Sequence, residues 1–297
     1  MALLWTVPLL PGGFYFYLGL VVAIYAIAAL GLQVMVGLAG QLSLGHAAFL
    51  GIGAYTAILL EKGVGLSFLP ALAAAGLLMA QLIRLSGVYF KIATFGFGIV
   101  VYQILTNWSS LTGGHVGVRA IPPIVILNLQ ITTRVGLFAV EMAALTIIYV
   151  LLVRLCHGRI GRALRAIGQN ETAARSMGIR VDRYRMIVIT LGSGIAGLAG
   201  AFLPHLMRFL SPESFTWYDS LLVLIMITVG GLGSLPGAIV GAALLTIVPE
   251  YLRDFAQYKM LAFGVLLIVS MILMPAGVAG VLRAALIGTL RRGGRVQ

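Results

Sequence analysis

Long apolar runs with brief polar punctuation dominate this chain. A helix needs roughly 20 mostly apolar residues to cross a bilayer, and runs of that kind cover 14–37, 42–60, 64–83, 87–106, 135–156, 186–209 and 259–281. Each is expected to be a helix. The run 217–251 differs, because Gly230, Gly231, Gly233 and Pro236 interrupt it. It is too long for one helix and too punctuated to be regular, so it forms either two short crossings or a re-entrant hairpin. Residues 1–13 carry Pro8, Pro11 and the Gly12-Gly13 pair, and read as an interfacial segment or the stub of an extra span. The pattern predicts an all-α, polytopic helical integral membrane protein with about eight to nine spans, some broken or re-entrant. Residues 1–297 read as a single transmembrane domain.

Composition agrees. The 297 residues are 61% hydrophobic and 9% charged, against roughly 25% charged in a soluble domain, so lipid is the main solvent. The net charge of +12 is not a nucleic-acid footprint, because the basic residues sit in interruptions between spans rather than on one polar face. That is the positive-inside distribution. Eight arginines between Arg154 and Arg185 face only two acids, Glu171 and Asp182, and the tail 283–297 adds Arg283, Arg291, Arg292 and Arg295. Both the loop 157–185 and the tail are therefore expected in the cytoplasm. Counting crossings backwards puts the loop 107–134, Glu61 with Lys62, and the N-terminus outside. Parity also requires 217–251 to leave and re-emerge on one side. The single Cys156 excludes an internal disulfide, and His46, His115, His157 and His205 show no metal-ligand spacing. The first 61 residues lack Lys and Arg, so no signal-peptide n-region is evident.

The central loop carries the chemistry. On a helix through 160–178, Ile160, Leu164, Ile167, Ala174 and Met177 share one face, while Arg159, Arg162, Arg165 and Arg175 lie elsewhere. Gly168 and Asn170 predict a break, Asn170 caps a second helix from Glu171, and Gly178 stops it. Such a loop could rest on anionic lipid, or it could be a docking helix moved by a cytosolic partner. The small Ala173 and Ala174 favour docking, since a lipid-facing helix would place Leu or Phe there.

The segment "NETAARSMGI" resembles the coupling-loop motif of bacterial ABC importer permeases, Glu-Ala-Ala, three residues, Gly. Glu171, Ala173, Ala174 and Gly178 match it, with Thr172 inserted. "GLAGQLSLGHAAFLGIGAYTAILL" (37–60), "RLSGVYFKIATFGFG" (84–98), "NWSSLTGGHVGV" (107–118), "GRALRAIGQNETAARSMGI" and "GGLGSLPGAIVGA" (230–242) resemble, in order, the blocks of the branched-chain amino acid ABC importer permease family, LivM-type branch. Two departures stand out: no complete apolar span precedes Pro11, and the run 64–83 is several residues short. The resemblance implies a translocation path for Leu, Ile and Val in the bacterial inner membrane. It implies four partners: a second related permease, two cytosolic ATPases that hold the ATP-Mg, and a periplasmic substrate-binding protein. ATPase coupling would fall to Arg162, Arg165, Glu171, Ala173, Ala174 and Gly178. The chain has no Gly-x-x-x-x-Gly-Lys-Ser/Thr loop, so it is expected to bind no cofactor and to hydrolyse no ATP itself.

Other motifs admit two readings each. "GSGIAG" (192–197) fits a dinucleotide fingerprint but lies inside an apolar span, so Gly194, Gly197 and Gly200 read as a strip for close helix approach. Gly233, Gly237 and Gly241 read likewise as a packing seam. "GQLSLGH" (40–46) puts Gln41, Ser43 and His46 at a glycine-broken entry to a span, where irregular backbone should border protein or water. With Tyr55, Thr56, Thr94 and Thr112 they are candidates to line the path. "LTGGHVGV" (111–118) reads as a gate, a docking surface for the binding protein, or a plain turn. Glu141 lies about two turns inside its span, and Arg134, on the same face, is an expected ion-pair partner, a contact to the second permease being the other reading. No nucleophile–base pair is visible. An importer of urea, short amides or aromatic acids, or a secondary transporter run by an ion gradient, remain the alternatives.

Overall fold

The structure is a computed structural model and describes residues 13–65, 67, 68, 70–74, 90–126, 129–251, 264, 265 and 277. The expected interfacial segment 1–13, apart from its last residue, most of the spans 64–83 and 259–281, and the basic tail 283–297 lie outside those residues.

Helix α1 (Gly13–Gln33) runs into a π-helical turn, Val34–Leu38. It is apolar on all sides, and all but a few of its residues are buried. A helix without a polar face belongs in the middle of a bundle, and α1 does touch most of the other long helices. The chain leaves the helix at Gly40, whose positive φ of 64° suits glycine, and stays irregular to Gly45. Helix α2 (His46–Leu59) follows and also ends in a π turn, Leu60–Val64. The expected span 42–60 is thus helical only from His46, because its first residues form the irregular stretch.

Helix α3 (Phe90–Asn107) leads to a loop holding one helical turn (Ser109–Thr112) and strands β1 (Val118–Arg119), β2 (Ile124–Ile126) and β3 (Leu129–Ile131). Strands β2 and β3 form an antiparallel ribbon. Helix α4 (Arg134–His157) is capped by Thr133, whose hydroxyl accepts from the Gly136 amide. Two short helices follow, α5 (Arg159–Gln169) and α6 (Glu171–Ser176), and then the long α7 (Val181–Met207). Strand β4 (Phe209–Leu210) pairs antiparallel with β1 and ties the far loop to the end of α7. These four short strands are additions to an otherwise helical fold.

The run 217–251 is two helices, α8 (Trp217–Gly230) and α9 (Leu235–Tyr251). They pack antiparallel: a Cβ built on Gly230 would lie 2.0 Å from the Gly237 carbonyl, and one on Gly241 would lie 1.9 Å from that of Met226. At 1.5 Å per residue α8 is about 21 Å long, short of a full crossing. The pair is a hairpin whose tip reaches the π-helical end of α1, where Gln33 Nε2 donates to the Gly231 carbonyl at 3.0 Å. Four helices among the described residues are long and apolar enough to cross a membrane: Gly13–Leu38, His46–Val64, Arg134–His157 and Val181–Met207.

Helix α7 binds the bundle together. Built Cβ atoms at Gly53 and Gly200 would fall 2.3 Å from the Gly197 carbonyl and 2.0 Å from the Leu50 carbonyl, so α2 and α7 meet backbone to backbone. On its other side Gly192 faces α1, and a Cβ built on it would lie 2.7 Å from the Gly31 carbonyl. Small residues permit this approach, as in membrane helices generally.

Candidate functional site

The basic end of the molecule is built around α5 and α6. Helix α5 turns Leu164 and Ile167 inward and its arginines outward. Arg162 Nη1 donates to the His157 carbonyl at 3.0 Å, bracing the turn from α4 into α5. Asn170 ends α5 and caps α6, accepting from the Ala173 amide at 3.0 Å. The other end of α6 is closed by a Schellman pair: Ile179 N–H donates to the Ala174 carbonyl at 3.1 Å and Gly178 N–H to that of Arg175 at 3.0 Å. Gly178 has φ 78°, and nothing lies within 4 Å of a Cβ built there, so the backbone conformation alone asks for glycine.

The two alanines part company. Ala174 is 3% exposed and packs with Ile167 and Val181, whereas Ala173 is exposed. Met177 is 83% exposed, which corrects the expectation that it shares the apolar face of Leu164. The break at Asn170 resets the helical phase, so a period carried across it misplaces the residues beyond. The outer surface of α6 is therefore Thr172, Ala173, Ser176 and Met177, small and polar with one long apolar knob.

An ion-pair network staples α6 to α7. The Arg185 guanidinium donates to both Glu171 oxygens, Arg175 Nη2 lies 3.0 Å from Glu171 Oε1, and Arg175 reaches Asp182 Oδ1 at 3.1 Å. The Arg185 hydrogen bonds first, and those from Arg175 second, hold the Glu171 carboxyl below the usual carboxylate range. Sequence reading singled out Glu171 but missed Arg185 as its partner. The signal was spacing across two helices, which no single helical period displays.

Helix α5 also reaches the interior. A Cβ built on Gly168 would meet the Leu38 carbonyl at 3.0 Å, so α5 rests on the last turn of α1, immediately before the irregular stretch. That stretch and its surroundings form a buried polar cluster. Gln41 and Ser43 are buried, Gln41 Nε2 donates to the Ala39 carbonyl at 3.4 Å, and Ser43 Oγ has no partner. His46 Nε2 donates to the Ala28 carbonyl at 3.0 Å, leaving Nδ1 without a partner. Thr94 of α3 accepts from the Leu44 amide at 3.2 Å, and Ser220 of α8 from the Ala47 amide at 2.9 Å. Gly45 lies so close to α3 that a Cβ there would be 2.0 Å from the Thr94 carbonyl. Segment 39–46 holds no Asp, Glu, Lys or Arg.

The other candidates fall elsewhere. Tyr55 is buried with its ring 6.4 Å from that of Phe215, its hydroxyl unpartnered, and Thr56 is half-buried. Both stand roughly 13 Å or more along α2 from His46. Thr112 sits in the far loop, its hydroxyl donating to the Leu105 and Trp108 carbonyls at 2.7 Å. It locks that loop. Gly194 is half-buried, while Gly197 and Gly200 lie in the α2–α7 seam and Gly237 and Gly241 in the hairpin. Gly233, with φ 83°, is at the hairpin tip beside Gly37.

A family model described as branched-chain amino acid transport system / permease component matches residues 14–275. The chain belongs to that family. It is similar to the high-affinity branched-chain amino acid transport system permease protein LivM of Escherichia coli strain K12, at 36% identity over 294 residues, covering 89% of this chain and 69% of LivM. The LivM of Salmonella typhimurium gives the same identity and coverage. It is also similar to LivH of Escherichia coli strain K12, at 26% identity over 86% of this chain and 91% of LivH. These relatives are transport system permease proteins. The apolar helices suit a multi-pass membrane location.

One expectation fails. Glu141 is fully buried on α4, and neither carboxylate oxygen has a hydrogen-bond partner among the described residues. Arg134 forms no ion pair with it. The two share a helical face but stand about 10 Å apart along the axis, and Arg134, in the first turn, is exposed.

Proposed function

We propose that this chain is one of two related permeases in a bacterial ABC importer that carries Leu, Ile or Val across the inner membrane by ATP-driven alternating access. The α5–α6 end lies in the cytoplasm with the C-terminus, and α6 seats its Thr172–Ala173–Met177 face on a cytosolic ATPase. ATP-Mg is held by two such ATPases. A periplasmic binding protein delivers the substrate to the opposite end. The observation that carries the reading is the unbroken mechanical route from α6: Glu171 grips Arg185 on α7, and Gly168 of α5 presses on Leu38, next to the broken segment that holds Gln41, Ser43 and His46. Closure of the ATPase pair would move α6 as a lever and shift that segment. A path whose polar groups are uncharged suits a solute with an apolar side chain, because fixed charges would trap a zwitterion.

The test is uptake of labelled leucine by the reconstituted complex. ATP hydrolysis should rise when the loaded binding protein is added, and uptake should need all four partners. Transport by this chain alone, without ATP, or uptake of urea in preference to leucine, would overturn the proposal.

A further inference from the structure

At the end opposite α6, a cavity of about 380 Å³ opens between the ends of α1, α4 and α7, beneath the β2–β3 ribbon. Its polar lining is cationic. Arg134, Arg208 and His205 line it, and the capping residue Thr133 places the N-terminus of α4 there as well. A helix N-terminus adds a partial positive charge. Among the described residues the lining contains no carboxylate. Glu61 Oε1 lies 3.3 Å from His205 Nε2. Apolar side chains, among them Leu137 and Leu206, make up part of the remaining walls.

Neither arginine is explained by the fold. Arg134 makes no hydrogen bond or ion pair among the described residues. Arg208 is the C-cap of α7 with φ 58°, a position where glycine or asparagine is unstrained. Among the described residues its side chain makes one polar contact, a long 3.4 Å bond from Nη1 to the Ile121 carbonyl. A strained arginine where glycine would serve points to use of its side chain. The exposed ring of Tyr17 lines the cavity, the exposed Phe14 and Tyr15 lie on the adjoining turn of α1, and the exposed Phe209 follows Arg208 in the chain. Exposed aromatics of this kind mark the headgroup level of a membrane.

We propose that this cavity binds the phosphate of an anionic phospholipid. The two guanidiniums hold the phosphodiester oxygens, and the apolar walls take the glycerol and the first acyl carbons. The lining selects an anion without an attached cation. The ammonium of an amino acid, or of a zwitterionic lipid, would meet two guanidiniums here and, among the described lining residues, no carboxylate.

The full-length protein, purified in neutral detergent, is titrated with dioctanoyl phosphatidylglycerol and, separately, with dioctanoyl phosphatidylcholine, and binding is read by native mass spectrometry. At about fivefold per arginine, the wild type should prefer phosphatidylglycerol by about 25-fold. Arg134→Gln should lower that preference about fivefold. Adding Arg208→Asn, which keeps a residue tolerant of positive φ, should abolish it, whereas Arg208→Lys should retain most of it. Should the double variant fold poorly, Arg134→Gln alone decides, since it breaks no internal bond. Equal binding of the two lipids, a preference untouched by Arg134→Gln, or displacement of phosphatidylglycerol by free leucine would overturn the assignment.

Discussion

If the Glu171–Arg185 pair makes α6 and α7 one mechanical unit, breaking it should separate ATP hydrolysis from transport. Arg185 is 11% exposed and Glu171 39%, and both carboxylate oxygens are engaged. Hydrogen bonds to charged groups contribute about 1.5–3 kcal/mol each when sheltered, while exposed ion pairs contribute about 0–1 kcal/mol. A pair with one sheltered partner and one half-exposed partner falls between, at about 1 kcal/mol, or roughly fivefold in the population of the stapled state. Glu171→Gln should therefore cut ATP-driven leucine uptake about fivefold in the reconstituted importer, with much of the ATPase rate kept. Arg185→Gln should do the same, and the double variant should be no worse than either single one. Losses that multiply in the double variant would show that the two residues act independently and would refute the staple. The pH dependence has a definite sign. A carboxyl held below its ordinary range stabilises the folded loop at all pH values above that range, and the contribution disappears as pH falls through the depressed value. Near neutrality the carboxyl stays ionised, so uptake there should not change with pH through its titration.

Three further outcomes are expected. Gly178→Val should uncouple transport, because a β-branched residue at φ 78° costs about 1–2 kcal/mol, whereas Gly178→Asn should retain most of it; equal activity would refute the Schellman stop as the lever's end. Gly200→Ala should destabilise the bundle by about 1–3 kcal/mol, measured by unfolding in detergent, because its Cβ would sit 2.0 Å from a backbone carbonyl that cannot rotate away. Glu141→Met should stabilise the protein by about 1–3 kcal/mol by removing a buried carboxyl that lacks partners, and abolished uptake in that variant would reveal a functional demand on the acid.

Much of the fold is legible in the sequence because lipid imposes a simple rule: apolar runs of sufficient length become helices. Asn170 and Gly178 bound α6 for local reasons, one by its side chain and the other by its φ, and local reasons survive into the structure. The two π turns leave no hydropathic trace, since a change in hydrogen-bond register does not change which residues are apolar. The phase error at Met177 and the missing Arg134–Glu141 pair have a common source. Helical periodicity gives the angle around an axis but neither a break in that axis nor the distance along it. Of the site, Gln41, Ser43, His46 and Thr94 come together because glycine breaks the backbone there. Thr112 does not join them, because its hydroxyl is taken up locally by the Leu105 and Trp108 carbonyls and the Gly114 amide.

The glycine seats between α7 and its two neighbours restrict how the molecule can move. Where main chain meets main chain there are no rotamers to readjust, so sliding either surface by a fraction of an ångström meets a wall of carbonyl oxygens. Helices α1, α2 and α7 therefore travel as one block. Any opening and closing has to take place at the borders of that block, against the hairpin, α3 and α4, or another subunit.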